Sequence, residues 1–280
     1  MRDDGPNAND AVVRGFGDEW RRFDQSEAAE RELRELFDAY FSVFPWSALP
    51  PNAVGFDLGC GSGRWARFVA ERVGLLHSID AAEPALAVAR RNLRHATNAL
   101  FHHASVGRLP IPNGSIDLGY SLGVLHHVPD TQAGLLKAVA KLRRGAPFLL
   151  YPYYAFDNRP AWFRRLWQVS ALGRRTISRL SHGARFAENQ ILAGLVYLAV
   201  ARGAAIAERL GVSVDVWPLA AYRQRSFYVM RTDALDRFGT RLEQRFTRDQ
   251  IIAMMKRSGL RDIQFRGDGP PYWVAVGIRA

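Results

Sequence analysis

Apolar positions along this chain change period several times, and each change marks an element. Residues 26–43 repeat at helical spacing, with Leu33, Leu36, Phe37, Tyr40 and Phe41 on one side and charges on the other. Ser26 with Glu30 downstream is a plausible helix start, and Pro45, Pro50 and Pro51 end the pattern. Apolar runs at 53–58, 75–80 and 98–103 then alternate with helical segments at 63–73 and 83–95. Leu109-Pro110-Ile111-Pro112-Asn113-Gly114 reads as a turn. Beyond it the pattern predicts a strand at 115–122, a helix at 131–143 and a strand at 146–153. Alternation at this rhythm predicts a parallel sheet covered on both faces. The regularity stops near Tyr154. Residues 155–230 open with Trp162, Phe163, Trp167 and many arginines, continue into an apolar helix candidate at 187–210, and pass through Pro218 and Tyr222. A helix at 247–258 and strands at 261–267 and 272–278 follow; Asp268-Gly269-Pro270-Pro271 turns between those strands, so they can pair antiparallel.

This divides the chain into an N-terminal helical arm (1–50), a core (51–154), a helical, arginine-rich insertion serving as a substrate lid (155–230), and a C-terminal completion of the sheet (231–280). With 48% hydrophobic residues in 280, the chain can fill a real core, so disorder is not the default reading. Cys60 is the sole cysteine, which excludes an intrachain disulfide framework and suits a reducing cytoplasm, the compartment expected. Met1 to Asp10 is polar and carries no apolar signal stretch. The longest apolar run, Ile191 to Ala201, falls short of the roughly 17–25 residues that cross a bilayer. The formal net charge of +11 is concentrated locally: between Arg159 and Ala187 there are seven arginines and no acid. Such a segment suits an anionic substrate, a nucleic acid or a phospholipid surface, or is simply a solvated helical face.

One stretch carries chemistry. Asp57-Leu58-Gly59-Cys60-Gly61-Ser62-Gly63 follows the first predicted strand and precedes a helix. Glycine lets a ligand lie against bare backbone at such a turn. The spacing is G-x-G-x-G, with Arg64 where a dinucleotide fingerprint would place its third glycine. Asp80 closes the second predicted strand about twenty residues on, where an acid accepts ribose hydroxyls. Adenosine therefore fits better than a dinucleotide. Cys60, inside the turn, reads as a small side chain that fits, not a nucleophile.

Three separated pieces, Val54–Trp65, Ser78–Asn92 and Leu109–Asp130, together resemble the class I S-adenosylmethionine-dependent methyltransferases, specifically the methyltransferase type 11 group. The third, LPIPNGSIDLGYSLGVLHHVPD, is similar to the group's LPFPDGSFDLVYSxxVLHHVPD. The resemblance covers roughly residues 50–155 and implies a Rossmann-like α/β fold: a parallel sheet flanked by helices with an antiparallel last strand, plus a helical lid after the fifth strand. It also implies S-adenosyl-L-methionine as cofactor. Asp57 and Gly59 would hold the methionine part, Gly61 and Gly63 would allow close approach, and Asp80 would take the ribose. The group's adenine-contacting Asp is here Ser105, followed by Val106, and a hydroxyl can still accept that hydrogen bond. Trp20 lies in an aromatic N-terminal region that, in the resembling subset, folds over the cofactor pocket. Nothing in the sequence argues for a metal.

Methyl transfer is an in-line displacement in which positioning can supply on the order of 7–11 kcal/mol. A base is needed only when the nucleophile must lose a proton. His126 and His127 are the candidates, following the fourth strand at the edge where open α/β sheets bind ligands. Alternatively one caps a turn and the other packs under the cofactor. Tyr153 and Tyr154, ending the fifth strand, and Tyr228 and Arg231, in a polar-rich segment, are candidate substrate contacts. The expected partner is a small molecule, anionic or aromatic, methylated on O, N or C. A nucleic-acid partner is not expected, since no separate RNA-binding module is present. Contact with a membrane surface, a nucleic-acid or lipid acceptor, and cofactor binding without turnover stay open as alternatives.

Overall fold

The computed structural model describes residues 7–267 and 269–280; Asp268 of the expected final turn lies outside them. Seven strands form one sheet: β1 Val54–Leu58, β2 Leu75–Asp80, β3 Ala99–His103, β4 Leu118–Leu122, β5 Pro147–Tyr151, β6 Leu260–Phe265 and β7 Ala275–Arg279. Their order is β3-β2-β1-β4-β5-β7-β6. The first five run parallel, and β7 lies antiparallel between β5 and β6. Strand order reverses between β1 and β4, so their carboxyl ends open a crevice at the switch point. β4 is buried at every position, as a central strand covered on both faces must be.

Helices α3 Ala66–Ala70, α4 Glu83–Asn92, α5 Thr131–Lys141 and α10 Arg248–Arg257 cover the sheet. Phe56, Leu58, Ile79, Leu135, Phe148, Leu150, Ile251 and Met255 are buried together in the main core. Helix α2, Glu30–Phe41, starts four residues later than the Ser26 signal suggests and buries Leu33, Phe37 and Phe41. Phe37 meets Phe68 of α3 at 5.1 Å between ring centroids.

A further helix, α1 Asp10–Arg22, runs through Trp20, which the sequence pattern leaves outside any helix. Gly15 and Gly17 disguise it. Asn9 caps it, accepting from Ala11 and Val12, and a Cβ at Gly17 would meet Pro84 of α4 at 3.3 Å. Close helix packing thus compensates the low propensity of glycine.

The chain divides into two compact units. One holds the described part of Met1–Gln25 with Leu33–Ala155 and Leu242–Ala280; the other holds Ser26–Glu32 and Phe156–Arg241. In the second unit lie α6 Ala161–Ile177, α7 His182–Leu192, a π-helical stretch Ala193–Leu198, α8 Ala199–Arg209 and α9 Phe227–Gly239. From α7 to α8 the helix is continuous over 28 residues, His182–Arg209, long and apolar enough by length and composition to cross a membrane. The uninterrupted apolar run understates it, because small and polar residues extend the helix at both ends. Residues 231–241, expected with the C-terminal part of the sheet, belong to this unit. Helix α9 carries them up to Gly239, and its Met230 and Ala234 pack on Ala193, Tyr197 and Ala201.

Candidate cofactor and active site

The glycine turn crosses the carboxyl end of β1. Gly59, Gly61 and Gly63 all have positive φ, at 80°, 54° and 76°. A Cβ on Gly59 would come within 2.3 Å of Val124, on Gly61 within 2.7 Å of the Trp20 indole, and on Gly63 within 2.3 Å of Leu93. Neighbouring side chains, rather than a ligand, therefore fill the directions that these glycines leave free, and backbone conformation demands them as well. The turn is tied down on several sides. Gly59 and Cys60 N–H donate to the Ile79 carbonyl, Gly61 N–H donates to Asp80 Oδ2 at 2.9 Å, and Asn92 Nδ2 donates to the Ser62 carbonyl. Trp20 lies over the turn, with the Arg64 guanidinium 5.2 Å above its ring. Beyond β4, Gly123 has φ +78° and its Cβ direction meets open space.

Asp57 is buried at the end of β1, and its Oδ2 has no hydrogen-bond partner. Burial pushes its carboxyl up to about 8; the nearby Tyr120 hydroxyl opposes this, and the charge of Asp80 adds to it. The buried Tyr120 hydroxyl faces the Asp57 carboxyl, and Ser62 Oγ is buried without a hydrogen-bond partner. Asp80 is also raised by burial, against the backbone N–H groups of Ala82 and Gly61 that hold its carboxylate. Those amides sit on Oδ1 at 2.8 Å and Oδ2 at 2.9 Å, and each oxygen keeps a second lone pair. A buried carboxylate, Asp57, and a half-buried one, Asp80, both of raised pKa, mark a site short of positive charge. A ligand bearing an ammonium and a sulfonium meets that demand, and Asp57 Oδ2, without a hydrogen-bond partner, is an acceptor that such an ammonium needs. The residues present fit S-adenosylmethionine. Cys60 stays a thiol, because burial pushes it well above its ordinary value.

Ser105 follows β3 beside Asp80, whose carbonyl accepts the Ala104 N–H. Val106 turns inward instead; its Cγ1 would lie 2.8 Å from a Cβ on Gly134 of α5. His126 and His127 occupy a short 3-10 turn, Leu125–His127, just past β4, and both are buried. The His126 ring stacks on Tyr153 with centroids 3.9 Å apart and lies 3.8 Å from the His127 ring. Neither of its nitrogens has a hydrogen-bond partner. Burial, with His127 and Arg245 nearby, holds its pKa well below the ordinary value, so the ring is neutral. His127 Nδ1 donates to the Leu242 carbonyl at 2.7 Å, which fixes its tautomer. Among the described residues no three His, Cys, Asp or Glu side chains gather as metal ligands.

Tyr153 and Tyr154 diverge. Tyr153 joins His126 and Tyr151, while Tyr154 stacks toward Tyr272 at 5.0 Å. Alternation along the chain end separates them, so Tyr154 stands apart from the histidine pair. Tyr228 and Arg231 sit on α9, in the other unit. Arg231 donates to Gln190 Oε1 and lies 3.8 Å from Glu27 Oε2, so its guanidinium is engaged inside that unit.

Two groups escaped the sequence reading. Tyr120 neighbours Asp57 because β1 and β4 pair in that register, a relation no local pattern shows. Residues 242–246 clasp the histidine turn. Gln244 N–H donates to the His126 carbonyl and Gln244 Nε2 to the Val128 carbonyl, while the Arg245 guanidinium lies 5.0 Å over the Tyr153 ring. The pairing of Arg245 with Glu243 at 2.7 Å was the available signal, an alternating charged run just before a helix cap.

Sheet order, glycine turn and paired acids define a Rossmann-like methyltransferase fold. Residues 56–145 match the family described as a methyltransferase domain, a match that supports a class I S-adenosylmethionine-dependent methyltransferase of the type 11/25 group. An uncharacterized methyltransferase of Mycobacterium tuberculosis is 25% identical over 129 residues, 46% of this chain and 65% of that protein. A ubiquinone biosynthesis O-methyltransferase of Paramagnetospirillum magneticum is 31% identical over 117 residues, 42% of this chain and 44% of that protein. The chain thus spans less than two thirds of these relatives. A solved SAM-dependent methyltransferase of Thermotoga maritima shares the fold, with a TM-score of 0.51, 13% identity, and coverage of 95% of this chain and 100% of that one.

Proposed function

We propose that this protein transfers the methyl group of S-adenosylmethionine to a small-molecule acceptor. The observation that carries the reading is Asp57: a buried carboxylate with a free oxygen, beside a glycine turn that Asp80 holds in place. S-adenosylmethionine, when bound, supplies an electrophilic methyl group on a sulfonium. Asp57 accepts the ligand's ammonium and Asp80 offers its second lone pairs to the ribose hydroxyls. Ser105 stands on the adenine side, and Trp20 covers the turn.

Tyr151, Tyr153 and Tyr40, whose ring lies 5.0 Å from that of Tyr151, form an aromatic rim suited to a flat acceptor. The partial likeness to an O-methyltransferase of ubiquinone biosynthesis, an enzyme of small-molecule metabolism, supports the same acceptor class. Where the acceptor must lose a proton, we assign that role to His126, whose neutral ring engages no polar partner. Tyr153 covers it, so the role requires that ring to swing aside.

Calorimetric titration with S-adenosylhomocysteine tests the reading. The wild-type chain should bind, and Asp80→Ala should lose at least about tenfold in affinity, the scale of one charge-assisted hydrogen bond. No heat with the wild-type chain would end the proposal; unchanged affinity in the variant would end the ribose assignment.

A further inference from the structure

Exposed large apolar side chains are concentrated in one part of this chain. Of the large hydrophobic side chains that face solvent, all but Leu100 and Leu136 belong to the second unit. On α6, Trp162, Leu166, Val169 and Leu172 are 50%, 50%, 65% and 63% exposed. Spacings of four, three and three residues put them on one helical face. At about 100° per residue Arg165 falls within that face, between Leu172 and Val169, and Arg164 and Arg175 lie beyond its Leu172 side. The 28-residue helix repeats the pattern, with Leu195 73% and Ile206 59% exposed. Packing does not require these residues, because the inward sides of both helices are already used. Ile177 is buried on α6, and Ala193, Tyr197 and Ala201 pack on α9.

Charge identifies what covers the face. Residues 156–241 contain fourteen arginines, no lysine and six acids. Arg165, Arg175 and Arg179 take no acidic partner among the described residues. An apolar stripe with unpaired arginines in and beside it matches the boundary between acyl chains and anionic headgroups. A second copy of the chain would instead press arginine against arginine. A nucleic acid would answer the arginines and leave the stripe unexplained. The long helix does not span a bilayer in this arrangement: one side is committed to α9, and its buried Arg185 donates to the Gly239 carbonyl at 3.1 Å. We propose that this face of the second unit docks on an anionic phospholipid membrane, with α6 lying in the plane of the interface. The inference stands apart from the chemistry at the glycine turn.

Co-sedimentation of the full chain with vesicles tests it, using phosphatidylcholine alone and phosphatidylcholine mixed with phosphatidylserine. Binding should require phosphatidylserine. The substitutions are on exposed positions, and circular dichroism confirms that each variant is folded. Val169→Glu with Leu172→Glu should abolish binding, and each of Arg165→Gln and Arg175→Gln should weaken it about 5-fold. The emission of Trp162, isolated by comparison with Trp162→Phe, should shift to the blue on the mixed vesicles. No binding by the wild-type chain overturns the proposal. So does binding that survives the paired glutamates, since that is mere adsorption of a +11 chain. A dimer that those glutamates dissociate assigns the face to a second copy and overturns it. So does RNA homopolymer binding that displaces the vesicles and ignores the glutamates. Bound protein that resists an alkaline wash and yields only to detergent would make the long helix a span, which also overturns it.

Discussion

Replacing Asp57 by Asn should make the protein more stable while destroying its cofactor site. The Asp57 carboxyl rises from 3.8 to about 8 on folding, chiefly because burial strips its hydration. Between those two values the folded state holds more protons than the unfolded state, so stability falls as pH rises through the window. Each unit corresponds to about 1.36 kcal/mol. The cost of keeping Asp57 is therefore about 2 kcal/mol near pH 5 and about 4 kcal/mol near pH 7, levelling off above its folded value. Asp57→Asn keeps the shape and removes the titration. Urea unfolding of both proteins should show the variant's advantage growing by about 2–3 kcal/mol between those two pH values. Calorimetry with S-adenosylhomocysteine should show the variant silent, because the amide cannot pair with an ammonium. An advantage that stays flat with pH, or a variant less stable at neutral pH, would refute the assignment of a strained carboxyl held for its ligand.

The same group makes cofactor binding depend on pH. Below about 8 an ammonium must displace the proton on Asp57, so affinity for S-adenosylhomocysteine should fall by up to about tenfold per unit as pH drops toward 6, with proton release seen by titrating in buffers of different ionisation enthalpy; a flat profile would contradict it. His126→Phe replaces a buried ring without polar partners, so stability should change by less than about 1.5 kcal/mol. Turnover in that variant should fall by about 10²–10⁴-fold with cofactor affinity unchanged, and equal turnover would return His126 to a packing role.

Much of this protein is written in local pattern. Strands of the parallel half, the glycine turn, Asp80 and the antiparallel pairing of β6 with β7 follow from periodicity, turn chemistry and spacing, each confined to a few neighbouring residues. What failed was non-local. Helix α1 hides behind Gly15 and Gly17 until α4 is known to receive it. Residues 231–241 join the insertion because α9 buries Met230 and Ala234 there, a preference that hydrophobic spacing alone does not resolve. Tyr120 reaches Asp57 through strand register, and Leu242 and Gln244 reach the histidine turn from more than a hundred residues away. The sequence by itself determined a glycine turn after β1 and carboxylates at the ends of β1 and β2. Tertiary structure alone decided how hard burial presses on Asp57, which rings meet His126, and which apolar faces stay uncovered, because desolvation and contact depend on everything packed around a residue.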